Sequence, residues 1–333
     1  MKKFFAIILS LVMAFAVLPF AVAADEAMPE SFGAYEHVFI LGVDGAGRFV
    51  KDAYTPNFDR IFADGAIDYR ARTEVKTDSA PNWTSILTGV SFFKHGLQNG
   101  DVGDVERAAN DGYPTIFTYA REAKPDAQLA SFVNWTPINK TIIENDADIY
   151  KFNAGDDAAV TQAVVDYLND GNAPTVFFLQ LDSVDHAGHS LGSKSQEYLD
   201  QLNIVDGYLG QIYDAIESNG LLDSSLILFI ADHGHMRRGG HGGLTMRESL
   251  VTFAAAGKTV VSGGSMDSKT RNRDIAATAL YALGIEKPDC MTSRVPGNLF
   301  EGVRGEARPF FKDIADSLIS AMSWILTLFT AAF

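Results

Sequence analysis

The sequence predicts an α/β fold, a mainly parallel central sheet sandwiched by helices. Two observations carry that expectation. Short β-branched or apolar runs alternate with longer helix-period segments along most of the chain, the order expected when crossover helices cover a parallel sheet. No internal repeat or low-complexity linker interrupts the alternation. The predicted strands are His37–Gly42, Ala66–Arg72, Gln128–Val133, Thr175–Leu181, Leu226–Ala231 and Leu250–Ala255. Helical spacing covers Pro56–Asp64, Pro81–Leu87, Asp156–Asn169, Ser193–Ser218 and Asn272–Leu283, whereas Trp135–Ala154 reads as an irregular connection that could wall a substrate site.

The ends of the chain have a different character. Lys2 and Lys3 precede an apolar run from Phe4 to Phe20, and Ala21-Val22-Ala23 supplies the small residues a signal peptidase requires. Residues 1–24 are therefore expected to be a removable export signal, with a retained membrane anchor as the rival, and the mature protein to be exported. About 310 residues then remain, enough for one large domain spanning residues 25–312. Residues 313–333 form a separate tail that is uncharged from Leu318 onward. Ile314, Leu318, Met322, Ile325, Leu326 and Phe329 share one helical face there. The segment is short for a membrane span and suits docking on its own domain, pairing with another subunit, or contact with a membrane surface.

Composition excludes some functions. The formal net charge is −15, and removing Lys2 and Lys3 leaves 25 basic against 42 acidic residues. Such a surface repels duplex nucleic acid, so a phosphate-bearing substrate must be drawn by local positive charge, for which bound metal ions are the obvious source. The only cysteine, Cys290, allows no internal disulfide, so packing and metals must hold the fold.

Polar residues of a particular kind cluster just after the predicted strands. His37-Val-Phe-Ile-Leu-Gly-Val ends in Asp44, a carboxylate that would be costly to bury without a partner such as a metal. Leu179-Gln-Leu-Asp-Ser-Val leads to Asp185 and, four residues on, His189, a spacing that lets one turn aim both at a single ion. Asp182 and His186 are placed to orient them. Leu226-Ile-Leu-Phe-Ile-Ala delivers Asp232-His233, and the loop Gly239-Gly-His241-Gly-Gly returns a further imidazole. His235 has a weaker claim and reads as solvent-facing. Ser79 stands in Asp78-Ser-Ala-Pro81-Asn82, with Pro81 suited to open a helix, so that helix dipole and free N–H groups would favour a phosphate beside it. Its hydroxyl is either a metal-activated nucleophile or a plain helix cap. Lys76, Lys140, Arg237 and Arg238 are candidate substrate partners, though such side chains are more commonly solvated surface charges.

Together, and in this order, these segments, with Thr55-Pro-Asn-Phe-Asp59, Thr88-Gly89 and His95-Gly96, resemble the type I phosphodiesterase/nucleotide pyrophosphatase branch of the alkaline phosphatase superfamily. The resemblance covers nearly the whole mature chain. It implies a phosphoesterase with two divalent metal ions, zinc or alternatively manganese. Asp185, His189 and His241 would hold the first, and Asp44, Asp232, His233 and Ser79 the second. Ser79 would be the nucleophile, and Asn82 would hold a phosphoryl oxygen. Alkaline phosphatases proper carry a magnesium-site glutamate where this chain has Gln180, which weakens the case for a third metal and simple monoesterase activity. Sulfatases need an arginine where Trp83 stands. The implied activity is hydrolysis of a diester or nucleotide pyrophosphate through a phospho-Ser79 intermediate. Phosphomonoesterase activity and phosphoryl-group transfer to a lipid or glycan are the alternatives, and a non-catalytic metal-dependent receptor is a further rival. The substrate would be a small phosphate ester or a lipid or glycan head group.

Overall fold

The computed structural model describes residues 28–103, 112–304 and Met322. The expected export signal, and the tail apart from Met322, lie outside the described residues.

Seven strands among them form one sheet in the order β2-β7-β6-β1-β5-β3-β4. They are β1 (His37–Val43), β2 (Ala66–Arg72), β3 (Leu129–Val133), β4 (Tyr150–Asn153), β5 (Val176–Leu181), β6 (Ser225–Ile230) and β7 (Leu250–Ala256). β1, β5 and β6 are adjacent, parallel and buried along their whole length. Their unbroken runs, such as Val-Phe-Phe-Leu in β5, are apolar on both faces because helices cover both sides of the sheet. Helices α1 (Pro56–Ile61), α4 (Asp157–Asn169) and α5 (Ser183–Leu191) pack on the long α6 (Gln196–Ser218). A second set groups α2 (Ser79–Thr88) and α3 (Ile116–Ala123) around α7 (Asp274–Ala282).

The Thr55–Asp59 segment has a packing role. Buried Asp206 on α6 accepts hydrogen bonds from the N–H groups of Asn57 and Phe58 at 3.0 and 2.7 Å, capping α1 from a neighbouring helix.

The sheet is mainly parallel, as expected, with β7 the exception, antiparallel to both β6 and β2. The connection from Ile230 to Leu250 holds only the short helix Met246–Ser249, too little for a crossover, so the chain re-enters from the edge it left. Trp135–Ala154 is less irregular than predicted. It contains a π-helical turn at Ile138–Ile142 and the edge strand β4, only four residues long and half-exposed. The predicted helix beginning at Ser193 starts instead at Gln196, capped by Ser195, and a separate helix, α5, precedes it.

Candidate active site

Three adjacent strand ends carry the acidic residues. Asp44 follows β1, Asp182 and Asp185 follow β5, and Asp232 follows β6, all on the carboxyl edge where open α/β sheets gather ligands. α5 is held in place by Asp157, whose carboxylate accepts from the N–H groups of Asp182 and Ser183 at 2.8 and 3.0 Å. The helix then presents Asp185 and His189 one turn apart, with His189 Nε2 3.3 Å from Asp185 Oδ2. The loop after β6 turns back through Gly239, Gly240 and Gly242, whose φ values of 103°, 81° and 104° suit glycine. It brings His241 Nε2 to 3.0 Å from His189 Nε2 and 3.5 Å from Asp185 Oδ1.

A second group lies alongside. His233 Nε2 is 3.5 Å from Asp44 Oδ1, 3.2 Å from Asp232 Oδ2 and 3.3 Å from Ser79 Oγ. The rings of His233 and His241 stack with centroids 3.7 Å apart, joining the two groups. All seven side chains proposed from the sequence as metal ligands are thus brought together.

The hydrogen bonds decide what these groups can bind. His241 Nδ1 lies 2.6 Å from the carbonyl of Thr77, so it must be the N–H, and Nε2 keeps its lone pair toward His189 and Asp185. His233 Nδ1 faces the carbonyl of Gly234 at 3.3 Å, which leaves Nε2 as an acceptor facing two carboxylates. Each carboxylate of the second group has one oxygen held by protein donors. Asp44 Oδ2 accepts from Trp83 Nε1 at 2.8 Å and Gln180 Nε2 at 3.0 Å. Asp232 Oδ1 accepts from the N–H groups of Gly45 and His233 at 3.0 and 2.8 Å. The other oxygens, Asp44 Oδ1 and Asp232 Oδ2, are buried without a hydrogen-bond partner among the described residues, as is Asp185 Oδ1.

Lone pairs facing lone pairs in a buried site repel unless a cation lies between them. Burial, and then mutual repulsion among Asp232, Asp185 and Asp182, push Asp44 well above the usual carboxylate range. Asp232 is raised as well, first by burial and then by Asp185 against the hydrogen bond from Gly45. Burial holds His233 well below its ordinary value and therefore neutral, the form that ligates metals. Burial would also raise Asp185, but the close approach of the His189 and His235 imidazoles outweighs it and brings the carboxyl below its usual range. Two sets that share no residue, Asp185/His189/His241 and Asp44/Asp232/His233, each place their donor atoms within 4.8 Å of one another, and a third, Asp185/His233/His235, spans them. Mixed carboxylate and imidazole donors fit two divalent ions of the zinc type.

Ser79 is the first residue of α2 and is buried. The helix starts two residues before the Pro81 that sequence spacing marks as its opening.

Asn82 has a different task from the one the resemblance implies. It is fully buried, and its Nδ2 donates to the carbonyls of Lys76 and Asp78 at 2.7 and 2.8 Å. Its Oδ1 accepts from Glu74 N and Asn272 Nδ2 at 2.9 and 2.8 Å. With its amide spent on bracing the nucleophile loop, Asn82 does not face a phosphoryl oxygen. The exposed amide beside Ser79 belongs to Asn99, whose Oδ1 accepts from Ala80 N at 2.9 Å. No local motif marks Asn99 in the sequence.

Gln180 is likewise engaged. Its Nε2 bridges Asp44 Oδ2 and Asp182 Oδ1, while its Oε1 accepts from the N–H groups of Asn134 and Trp135. Asp182, raised to about 6 by burial and then by Asp185, is 3.5 Å from the exposed His186. A cleft of about 270 Å³ opens beside these residues, lined by Asn134, Asp156, Ser183, His186, Gln201 and Tyr208. Lys140, Arg237 and Arg238 are exposed surface charges, and Lys76 is bonded to Gln98.

His235 overturns the solvent-facing expectation. Its side chain is fully buried between the two groups, with Nε2 3.0 Å from Asp185 Oδ1.

The hydrogen bond from Trp83 fixes which Asp44 oxygen faces the second group. Trp83→Phe keeps most of the buried ring but removes that donor. Metal affinity at one of the two sites should fall about 10–100-fold, read by competition with a zinc indicator.

The model of the family described as type I phosphodiesterase/nucleotide pyrophosphatase matches residues 38–248. GPI ethanolamine phosphate transferase 1 of Candida glabrata is 25% identical over 289 residues, 75% of this chain and 30% of that protein. GPI ethanolamine phosphate transferase 3 of Schizosaccharomyces pombe is 35% identical over 98 residues, 28% of this chain and 10% of that protein. The chain therefore spans less than a third of the length of these transferases. Bovine bis(5'-adenosyl)-triphosphatase ENPP4 is 22% identical over 213 residues, 59% of this chain and 47% of that protein. Among solved structures, murine ectonucleotide pyrophosphatase/phosphodiesterase 5 superposes with a TM-score of 0.61 at 12% identity, covering 76% of this chain and 96% of that one.

Proposed function

Because this chain belongs to the type I phosphodiesterase/nucleotide pyrophosphatase family, we propose that it is an exported two-metal enzyme that splits phosphate diesters by attack of Ser79. The observation that carries this reading is the position of Ser79 Oγ, 3.3 Å from His233 Nε2 and at the first turn of a helix. A mere helix cap has no need of two buried carboxylates and an imidazole around it. Asp185, His189 and His241 would hold one ion, and Asp44, Asp232, His233 and Ser79 the other. The ions, when bound, supply the Lewis acidity that acidifies the serine hydroxyl and an attacking water and offsets charge on the phosphoryl oxygens.

The remaining work falls to the chain's own groups. Ser79 Oγ forms a bond to phosphorus as the bond to the leaving alcohol breaks. The amide N–H₂ of Asn99, whose oxygen is held by the Ala80 N–H beside Ser79, hydrogen-bonds the phosphoryl oxygens as their charge grows. Water then attacks the phosphoryl-serine ester, releasing product and restoring the hydroxyl.

The curated transferases among the relatives favour one second reading, transfer of a phosphoryl group from Ser79 to an alcohol acceptor instead of water. Both readings are separated by assaying the zinc- or manganese-loaded protein on bis-p-nitrophenyl phosphate, a thymidine p-nitrophenyl phosphodiester and p-nitrophenyl phosphate. Hydrolysis predicts kcat/KM for a diester about tenfold or more above the monoester, ~1.4 kcal/mol of transition-state discrimination. Turnover that stays negligible until an alcohol acceptor is added would assign the transferase reading. No turnover in either format with both metals bound would contradict the enzyme.

A further inference from the structure

His235 is built into the site more deeply than its position in Asp232-His233-Gly234-His235 implies. Its ring lies between the two ligand groups, with centroids 5.6 Å from His233, 5.2 Å from His241 and 5.4 Å from His189. The side chain is completely buried, and neither Nδ1 nor Nε2 has a hydrogen-bond partner of good geometry among the described residues. A buried imidazole with both nitrogens unsatisfied is costly, which points to an alignment completed only when the site is loaded.

Space for the ring is made by other segments. A Cβ at Gly188 would lie 2.2 Å from His235 Cδ2, so only glycine on α5 lets the ring approach. The backbone is fixed by Ser193, whose hydroxyl donates to the His235 carbonyl at 2.6 Å.

Among the described residues, Nε2 pairs with one acidic atom, Asp185 Oδ1, 3.0 Å away and itself lacking a hydrogen-bond partner there. His189 Nε2 approaches the other oxygen, Oδ2, at 3.3 Å. We propose that His235 is a positioning residue for the first metal site, donating from Nε2 to Asp185 and so fixing how that carboxylate is presented to the ion. The proposal rests on the two-metal reading above and assigns within it a residue that the ligand sets do not need.

The test is metal binding by the full chain, measured by zinc titration with bound metal counted by elemental analysis. His235→Gln places an amide donor near Nε2, whereas His235→Leu fills the space without a donor. Wild type is expected to bind two ions, and His235→Leu to bind one of them about 10–100-fold more weakly with the other unchanged, while His235→Gln recovers most of the loss. The absorption spectrum of the cobalt form should be the same for His235→Gln and wild type, because no imidazole leaves the coordination sphere. Thermal melts of the metal-free proteins keep misfolding separate from weak binding. Equal affinity in all three proteins would overturn the proposal. So would a His235→Gln protein as weak as His235→Leu with an altered cobalt spectrum, which would make His235 a direct ligand. Failure of wild type to bind two ions would sink the two-metal reading itself.

Discussion

Ser79→Ala is expected to reduce diester turnover by on the order of 10³-fold or more, since it removes the atom that bonds to phosphorus. The protein should nevertheless fold and keep both ions. Ser79 supplies only one of the donors at the second group, where Asp44, Asp232 and His233 remain within 4.8 Å of one another. The residue adds no packing that alanine would lose beyond its hydroxyl. Steady-state rates on bis-p-nitrophenyl phosphate, taken beside metal content, check the expectation. Near-normal turnover with both metals in place would mean that water, not serine, attacks phosphorus.

The second large effect is an exchange of stability for metal binding at Asp232. In the metal-free protein Asp232 is raised well above the carboxylate range, chiefly by burial. A group with a raised folded value holds its proton longer in the folded state than in the unfolded one. Its contribution to stability is complete below the unfolded carboxylate value and is lost as pH rises through the folded value. Asparagine cannot ionise and escapes that loss. It keeps the oxygen that accepts from Gly45 and His233, and its new N–H₂ faces His233 Nε2, which lies 3.2 Å from Asp232 Oδ2. Metal-free Asp232→Asn should therefore melt at least ~2 °C above metal-free wild type at neutral pH, with a gap that narrows on acidification. His233 is pushed the opposite way by burial, but it is present in both proteins and cancels to first order. Excess zinc should reverse the order, because wild type gains about 2.7 kcal/mol at a hundredfold excess over Kd and the variant gains far less. Calorimetry across pH, with and without zinc, reads both parts. An asparagine variant no more stable than wild type without metal would remove the argument that these carboxylates await a cation.

What the sequence makes legible here follows from strand chemistry. A fully buried strand such as His37–Val43 carries no polar side chain from Val38 to its end, so an aspartate in the next position stands out. The same contrast exposes Asp185 and Asp232, and the glycines around His241 mark a loop that must turn tightly. His235 was hidden because its burial is decided by Gly188 on another element, and no local pattern records that contact. The family resemblance, not a local pattern, assigns Asn82 to substrate. Residues 74–78 and Asn272 together instead engage every donor and acceptor of its side-chain amide. The direction of β7 depends on the shape of a long polar connection, and β4 has too few residues to show alternation.

The covalent step is the central claim, and acid quenching during turnover tests it most directly. Protein mixed with bis-p-nitrophenyl phosphate and zinc would be quenched on the timescale of one turnover, digested, and the peptide containing Ser79 examined by mass spectrometry. The account predicts a p-nitrophenyl phosphoryl group on Ser79 that appears with the first released p-nitrophenol and is absent when chelator is present. An unmodified Ser79 during active, metal-dependent turnover, at every quench time, would contradict it.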